Sequence, residues 1–307
     1  MDESVDPESM LPVVGMGTVV VDHQVFLNSL PDADTKAEVI SDRFQVGGPV
    51  PTALALLGKM GLKTSFIGKW GTDDWGRMIE GDLTAHRVET GLSLVHPQFR
   101  SGFAHVWVER ASGRRSIAAF RGSHEISVED VDGVEWADYA ALHLDGWSTD
   151  AAIIAAESAQ SANVKVFMDL GSPKPRLEEL VSQVDHLNCP KRLFSILYPG
   201  EGLSDCAARF LSMGAKSVSV TDGEEGAWLF VGDENFHQAA FVVETVDTNG
   251  AGDVFSGAMI YATLQGWSPV RRLSFAAAAA ALKCRGMGNR QPLPSIGEVE
   301  RFLAGLG

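Results

Sequence analysis

Short apolar runs alternate with amphipathic stretches through the second half of the sequence, and this alternation restricts the fold more than any other feature. The runs of strand length cover 141–144, 164–169, 217–221 and 227–231, and apolar residues recur at helical spacing over 149–162, 201–213, 254–265 and 270–283. Strands that alternate with helices in this way predict an α/β fold with a doubly wound, mainly parallel sheet flanked by helices. In such a sheet, ligands bind at the carboxyl ends of the strands.

The first half of the chain predicts one more central strand and a small β-sheet. Residues 13–21 are five valines with two glycines, one methionine and one threonine. Such an apolar, β-branched run is typical of a buried first strand leading into a loop. Between 100 and 122 the apolar period falls to two around a turn at 111–114, which predicts a hairpin. We expect a β-sheet lid formed by two separated segments, about 22–46 and 98–122.

The remaining boundaries follow from turn residues and charge. Three glycines and two acidic residues between 68 and 76 predict a loop. Residues 1–10 are polar and acidic, so we expect a flexible tail there, followed by a single domain over 12–307. A secretory or mitochondrial leader would be basic at this end, so the expected location is the cytoplasm.

The charge of the chain limits its partners. The sequence has 40 Asp and Glu against 25 Lys and Arg, which gives a net charge of −15. Such a field repels polyanions, so nucleic acid is not an expected partner, and an anionic substrate must be held by local cations, backbone dipoles or a metal ion.

No apolar run reaches the roughly 18 residues of a membrane span. Cys189, Cys206 and Cys284 lack the spacing of disulfides or zinc ligands.

The strongest local signal is a small-residue turn that opens a helix. Gly250, Ala251 and Gly252 have little side-chain bulk, so a ligand can approach their N–H groups at the helix N-terminus, which favours an anion. Asp253 follows in the first helical turn. It either complements the helix dipole or acts as a general base beside a bound phosphate. No Walker P-loop and no G-x-G-x-x-G follows the first strand.

The segment Asp247–Asp253 resembles the C-terminal motif of the ribokinase (PfkB) family of sugar and nucleoside kinases. Other motifs occur in the order of that family, and the resemblance spans about 12–295; these motifs are Gly17 with Asp22, Gly47-Gly48, Gly68–Gly76 and Thr221–Gly226. The resemblance implies a ribokinase-like fold and an ATP-dependent carbohydrate kinase that phosphorylates a primary hydroxyl group.

The resemblance also implies roles for individual residues. Asp253 matches the catalytic base, and Gly250, Ala251 and Gly252 match the hole that receives the transferred phosphate. The matched substrate and cofactor residues are Asp22 and Gly48 for the sugar, and Thr221, Gly223, Gly226 and Asn188 for the nucleotide. Mg²⁺ is expected to arrive with ATP, and a monovalent cation such as K⁺ is implied near Asp247 and Gly286.

Two positions depart from the family pattern. Thr52 stands where many members have a sugar-binding asparagine, so a different sugar contact is expected there. Lys191 replaces the acid of an Asn-x-x-Glu element, which predicts weaker or altered handling of Mg²⁺.

Motif details resemble the sulfofructose kinase branch and, more distantly, ketohexokinase, which implies a ketose-like or acidic sugar. The segments concerned are 47–53, 184–186 and 281–284. Ala119 and Gly146 occupy positions where a cation or amide is expected for a sulfonate, and Arg121 is an alternative ligand for an anionic group or merely a solvated side chain.

Two other functions remain open, a nucleoside kinase of the same family and a non-catalytic relative that acts as an interaction protein. The exposed apolar face of the expected lid is too small to be stable alone, which predicts a homodimer through the lid.

Overall fold

The predicted alternation of strands and helices is present in the folded chain. The computed structural model describes residues 5–110, 112 and 114–305. The strands are β1 (Val13–Met16), β2 (Val20–Leu27), β3 (Ser41–Gly47), β4 (Thr64–Ile67), β5 (Lys69–Trp70), β6 (Val88–Glu89), β7 (Leu94–Val95), β8 (Phe103–Glu109), β9 (Arg115–Phe120), β10 (Ala141–Leu144), β11 (Lys165–Asp169), β12 (His186–Pro190), β13 (Ser217–Thr221), β14 (Ala227–Val231) and β15 (Glu234–Gln238). The helices are α1 (Pro49–Lys59), α2 (Asp74–Ala85), α3 (Thr149–Ser161), α4 (Leu177–Ser182), α5 (Lys191–Leu197), α6 (Leu203–Met213), α7 (Ala251–Leu264), α8 (Pro269–Cys284) and α9 (Ile296–Ala304).

Within the described residues, nine strands form one large sheet in the order β15-β14-β13-β12-β11-β10-β1-β4-β6. Neighbours from β13 to β6 pair in parallel, whereas β13–β14 and β14–β15 pair antiparallel at one edge. The central strands are buried on both faces, as expected when helices cover a parallel sheet. The predicted doubly wound α/β fold is therefore confirmed.

Two hydrophobic cores lie on opposite faces of the large sheet. Consecutive residues of one strand point to opposite faces, and accordingly Val13 belongs to one core while Val14 belongs to the other. The first core also contains apolar residues of α1, α7 and α8, and the second contains those of α3, α4 and α6. The helices α1 and α7 thus pack on the same face, which brings their N-termini to one end of the sheet.

A separate four-stranded sheet, called here the small sheet, has the order β3-β2-β8-β9. Its strands come from the two segments expected to form a lid. Strands β2 and β8 pair in parallel, whereas β2–β3 and β8–β9 pair antiparallel. By this register Asp22, Ala104 and Ala119 lie side by side on one face of the small sheet.

Two expected boundaries differ from the structure. The segment 68–76 is not a continuous loop, because it contains β5 and because α2 begins at Asp74, with Asp73 accepting a hydrogen bond from Gly76 N at 2.8 Å. Residues 1–4 of the expected tail lie outside the described residues. Residue 5 is attached to the body, since Val5 N donates to Gln265 Oε1 at 2.7 Å. No helix in the described part of the chain has both the length and the apolar character needed to cross a bilayer.

Candidate active site

The N-terminus of α7 combines a left-handed glycine with uncommitted backbone amides. Gly250, the N-cap, has a φ of 78°, a conformation that side chains with a Cβ rarely adopt. The Ala251 N–H donates to Thr248 O at 3.2 Å. Among the described residues, no backbone acceptor is recorded for Gly252 or Asp253 N–H, as is usual in a first helical turn. Of the amides expected to form the anion hole, that of Ala251 is committed to Thr248, whereas those of Gly250 and Gly252, like that of Asp253, have no backbone acceptor among the described residues.

Asp253 lies beside these amides and is partly exposed. Burial by the surrounding protein raises the pKa of Asp253 to about 6, and the cations Arg290, Lys283 and Arg115 oppose this rise. The carboxyl group is therefore largely ionised at neutral pH and is more basic than an ordinary aspartate. A Cβ added to Gly252 would meet no atom within 4 Å, so the space next to this turn is open. Both the position and the pKa suit a general base.

Asp22 of β2 faces the same cleft from the small sheet. Burial raises the pKa of Asp22 to about 6; Arg290 and Arg115 lower it, and the negative charge of Asp253 raises it. The same two arginines act on both carboxylates, so the four side chains lie near one another. Two acids brought together from distant segments in this way are typical of a functional site.

Gly47 and Gly48 form the wall behind Asp22. A Cβ added to Gly47 would lie 2.5 Å from Asp22 Oδ2, and Gly48 is the N-cap of α1. The Thr52 side chain is fully buried, and its Oγ1 accepts a hydrogen bond from Arg290 Nε at 3.5 Å. The expected sugar contact of Thr52 is not supported by this placement. Its hydroxyl group supports Arg290 instead.

Arg290 is the cation that the sequence analysis missed. It is 4% exposed, forms an ion pair with Asp82 of α2, and donates from Nη2 to Gly47 O at 3.5 Å. Burial lowers the pKa of Arg290, but an arginine keeps its charge in proteins. A fixed positive charge therefore lies behind both acids. No local sequence pattern indicates this role of Arg290, because its partners come from sequence positions about two hundred residues away.

Two further acids lie at strand ends. Asp145 directly follows β10 and Asp169 ends β11, so both occupy the carboxyl edge of the large sheet. Asp145 accepts hydrogen bonds from Thr18 N at 2.7 Å and Trp147 N at 3.0 Å. Burial raises the pKa of both acids, and Asp253 raises that of Asp169 further. The rule that ligands bind at strand ends points to these acids, although the sequence analysis named neither.

Two cations lie against the ring of Trp147, just beyond Asp145. Arg121 Cζ and Lys174 Nζ are each 3.7 Å from the ring centroid. Lys174 is buried, and burial lowers its pKa to about 8. A cation was expected at position 146 for an anionic sugar, but Gly146 has no side chain. The side chain of Lys174 lies next to it instead, since a Cβ added to Gly146 would lie 3.5 Å from Lys174 Cε. Arg121 is exposed and adjoins this cluster from the end of β9.

An open cleft of about 800 Å³ separates the small sheet from the segment 245–249. Arg115 of β9 lines it, and its Nη1 donates to Asn249 Oδ1 at 3.5 Å. Arg115 lowers the pKa of both Asp22 and Asp253. The small sheet thus contributes an acid and a cation to the site.

The expected nucleotide turn follows β13. Thr221 ends that strand, and Gly223–Glu225 form a 3₁₀ turn that leads to Gly226. A Cβ added to Gly226 would lie 2.0 Å from Gln238 O, so the backbone of β15 requires a glycine there whether or not a ligand binds. Gly223, in contrast, has no neighbour within 4 Å of an added Cβ, so it is the open position of the turn.

Lys191 and Asn188 take roles that differ from the expected ones. Lys191 Nζ donates to Asp222 Oδ2 at 2.6 Å, so the lysine that replaces an acid is bound to the nucleotide turn. The Asn188 side chain is buried, with Nδ2 donating to Ser256 Oγ at 2.7 Å. Ser256 Oγ in turn donates to Asp169 Oδ2 at 2.9 Å. Asn188 therefore holds Asp169 through Ser256, in place of the expected nucleotide contact.

The donor atoms around Asp247 bear on the cations that the resemblance implies. In the described residues no group of three or more His, Cys, Asp or Glu side chains is arranged to hold a metal ion. Asp247 does not fit a monovalent cation. Its Oδ2 accepts from Arg43 Nη2 at 2.7 Å and from Gly288 N at 2.9 Å, and its Oδ1 accepts from Asn249 N at 2.9 Å.

Comparison with known proteins identifies the family of this chain. A sequence model described as pfkB family carbohydrate kinase matches residues 10–296. Ribokinase of Bacillus subtilis is 24% identical over 273 residues, which cover 87% of this chain and 91% of that protein. An ATP-dependent ribose-1-phosphate kinase of Halopiger xanaduensis is 27% identical over 305 residues, or 96% of this chain and 99% of that protein.

A solved structure supports the same family. Arabidopsis thaliana ribokinase complexed with ribose and ATP superposes with a TM-score of 0.83 at 27% identity, and the match covers 96% of this chain and 99% of that one. The predicted resemblance to the ribokinase (PfkB) family and the predicted fold are therefore confirmed. This chain belongs to the pfkB family of carbohydrate kinases and is an ATP-dependent carbohydrate kinase with a ribokinase-like α/β fold.

Proposed function

We propose that this kinase transfers the γ-phosphoryl group of ATP to a primary hydroxyl group of an acidic or ketose-like sugar. The observation that carries the proposal is the position of Asp253, partly exposed beside the open amides of α7 and opposite Asp22. A hydroxyl group bound between the two acids would lie next to a phosphate bound at the helix N-terminus.

In the proposed mechanism each residue does one task. Asp253 accepts the proton of the attacking hydroxyl group, and Asp22 accepts a hydrogen bond from another sugar hydroxyl group. The Gly252 and Asp253 amides donate to the γ-phosphate, so negative charge that develops during transfer meets fixed dipoles. The ATP phosphates would carry Mg²⁺, whose charge would offset theirs. The turn at Thr221 and Gly223 is proposed to lie under the nucleotide, and the small sheet is proposed to act as a lid that excludes water.

The cations around the cleft support an anionic group on the sugar. Arg121 and Lys174 lie together at Trp147, and Arg115 lies across the cleft. A protein with a net charge of −15 attracts an acidic sugar only where local cations outweigh the overall field. The Halopiger xanaduensis relative is named as a kinase of ribose 1-phosphate, which is itself an anionic sugar.

A substrate panel tests this proposal. Ketoses, aldonates, sugar phosphates and nucleosides would be incubated with ATP and Mg²⁺, with product detected by ³¹P NMR as a primary phosphate monoester. We expect an acidic sugar or ketose to have the highest kcat/KM. Asp253→Asn should lose roughly 10²–10⁴-fold in kcat. Asp132→Asn, an exposed substitution elsewhere, should not change it.

The panel also separates the two alternatives. Preferred turnover of nucleosides would replace the sugar assignment. If every compound fails and ATP does not bind in calorimetry, the chain acts as a non-catalytic relative.

We also propose a homodimer through the small sheet. Phe44 and Trp107 lie on the face opposite Asp22, and they are 44% and 43% exposed. Sedimentation equilibrium should give a dimer, and Trp107→Glu should shift it towards monomer. A wild-type monomer at all concentrations would contradict this proposal.

A further inference from the structure

A buried ammonium group lies beneath the loop that leads into α7. Lys283 belongs to the last turn of α8 and is 0% exposed. Its Nζ donates a hydrogen bond to Asp247 O at 2.7 Å. Burying a lysine is costly unless its charge is compensated, so a lysine in this position calls for an explanation.

The oxygens of Asp247 that face this region are occupied by donors. Its carbonyl oxygen receives the Lys283 ammonium, and its carboxylate receives the Arg43 guanidinium and the Gly288 and Asn249 amides. A monovalent metal ion needs several oxygens that are free to coordinate it. Here it would meet an ammonium and a guanidinium, and both would repel it.

Lys283 and its neighbours hold the loop in place. Cys284 O accepts from Val246 N at 2.8 Å and from Asp247 N at 3.2 Å, which fastens the loop to the end of α8. The loop continues to Thr248, whose carbonyl oxygen accepts from Ala251 N. The position of the open amides of α7 therefore depends on contacts made by the last turn of α8.

We propose that the Lys283 ammonium is a built-in cation that replaces an exchangeable monovalent cation beneath the 247–249 loop, so that this kinase does not depend on K⁺. Lys283 is a positioning residue in this proposal, since it touches the loop and no reacting atom. Its charge also reaches the site, because Lys283 lowers the pKa of Asp253. The activity measurements below rest on the proposed kinase function, whereas the thermal measurements do not.

The first test uses the wild-type protein in equal concentrations of KCl, NaCl and tetramethylammonium chloride. The kinase activity should agree within about twofold among the three salts. The Tm should be the same in all three within the error of measurement. Activation of more than about tenfold by K⁺, or a specific rise of Tm with K⁺, would overturn the proposal. If no panel sugar is phosphorylated, the kinase function fails and the comparison of Tm values still decides the role of Lys283.

The second test compares two substitutions of different size. Lys283→Ala removes the charge and leaves room for a cation, whereas Lys283→Met removes the charge and fills the space. Both should lose roughly 10²-fold in kcat through misplacement of the loop. NH₄⁺ or K⁺ should restore the activity of the Ala variant more than that of the Met variant. The same cations should raise the Tm of the Ala variant more, because a ligand that binds only the folded state stabilises it.

The controls keep the second test decisive. Lys63→Met, an exposed substitution, should behave like the wild type in every salt. Wild-type activity in both Lys283 variants, or an identical response of both variants to NH₄⁺, would reject the proposal. If neither variant folds, the wild-type salt comparison remains and is sufficient to reject or support it.

Discussion

Replacement of Asp253 by asparagine should make this protein more stable at the same time as it removes activity. Burial raises the pKa of Asp253 from 3.8 to about 6. Between these two values the folded state binds more protons than the unfolded state, so stability falls as the pH rises through this range. At neutral pH the ionised carboxyl group thus destabilises the fold, and an amide of the same shape removes that cost.

The magnitude follows from the shift itself. A change of about 2 pKa units corresponds to roughly 3 kcal/mol, at about 1.4 kcal/mol per unit. This shift already includes the attraction of Arg290, Lys283 and Arg115, and because Asp253 is partly exposed, solvent screening reduces the gain. We expect a net stabilisation of about 1–2 kcal/mol, or a Tm rise of roughly 2–3 °C. The loss in kcat should be roughly 10²–10⁴-fold, the usual contribution of a general base.

Thermal unfolding from pH 4 to pH 8, together with steady-state kinetics, tests the prediction. The Tm advantage of Asp253→Asn should be full at pH 8, shrink as the pH falls through 6, and vanish near pH 4. Asp73→Asn is the matched contrast. Burial raises the pKa of Asp73, but hydrogen bonds from Ser101 and Gly76 outweigh it and lower the pKa, so this carboxylate stabilises the fold above its unfolded pKa. Asp73→Asn should lower the Tm at pH 8. A lower Tm for Asp253→Asn at pH 8, or an advantage independent of pH, would refute the reasoning.

Three further predictions concern the same cleft. The kcat/KM of the wild type should fall about tenfold per pH unit below about pH 6, because protonated Asp253 cannot accept a proton; a flat pH profile down to 5 would exclude it as the base. Arg290→Gln should move this acid limb to higher pH and cost roughly 3–5 kcal/mol in urea unfolding, because it also leaves Asp82 without its partner; an unchanged limb would show that Arg290 does not act on the base. Thr52→Val should cost about 1 kcal/mol, because it removes the hydrogen bond to Arg290, and leave the KM for sugar within twofold; a tenfold rise in KM would restore the predicted sugar contact.

The fold could be predicted from the sequence where a pattern repeats, and not where an element is too short to have one. The central strands are continuous apolar runs buried on both faces, and the long helices carry a period of 3.6 residues over enough positions to be recognised. β5 and β7 have two residues each, so they have no period, and they pair only because their neighbours bring them together. The loop expected over 68–76 was wrong for this reason at β5.

The candidate site divides in the same way between local and long-range determinants. Gly250 and Asp253 are three residues apart at one helix start, so their proximity is fixed by local geometry. Arg290 depends on contacts with Asp82 and Gly47, which only the complete fold supplies. Thr52 was assigned to the sugar because sequence alone does not tell which side of the first turn of α1 faces the cleft.

The net charge of −15 and the anionic substrates of a kinase are reconciled by where the cations lie. Arg290 and Lys283 are buried, so their charges are not shared with solvent and act at short range on the acids of the cleft. Salt screens the acidic surface within about 10 Å but reaches buried pairs much less. The long-range repulsion of an anionic sugar should therefore weaken with added salt while the local attraction persists. Association with such a sugar would become faster, not slower, as ionic strength rises from low values.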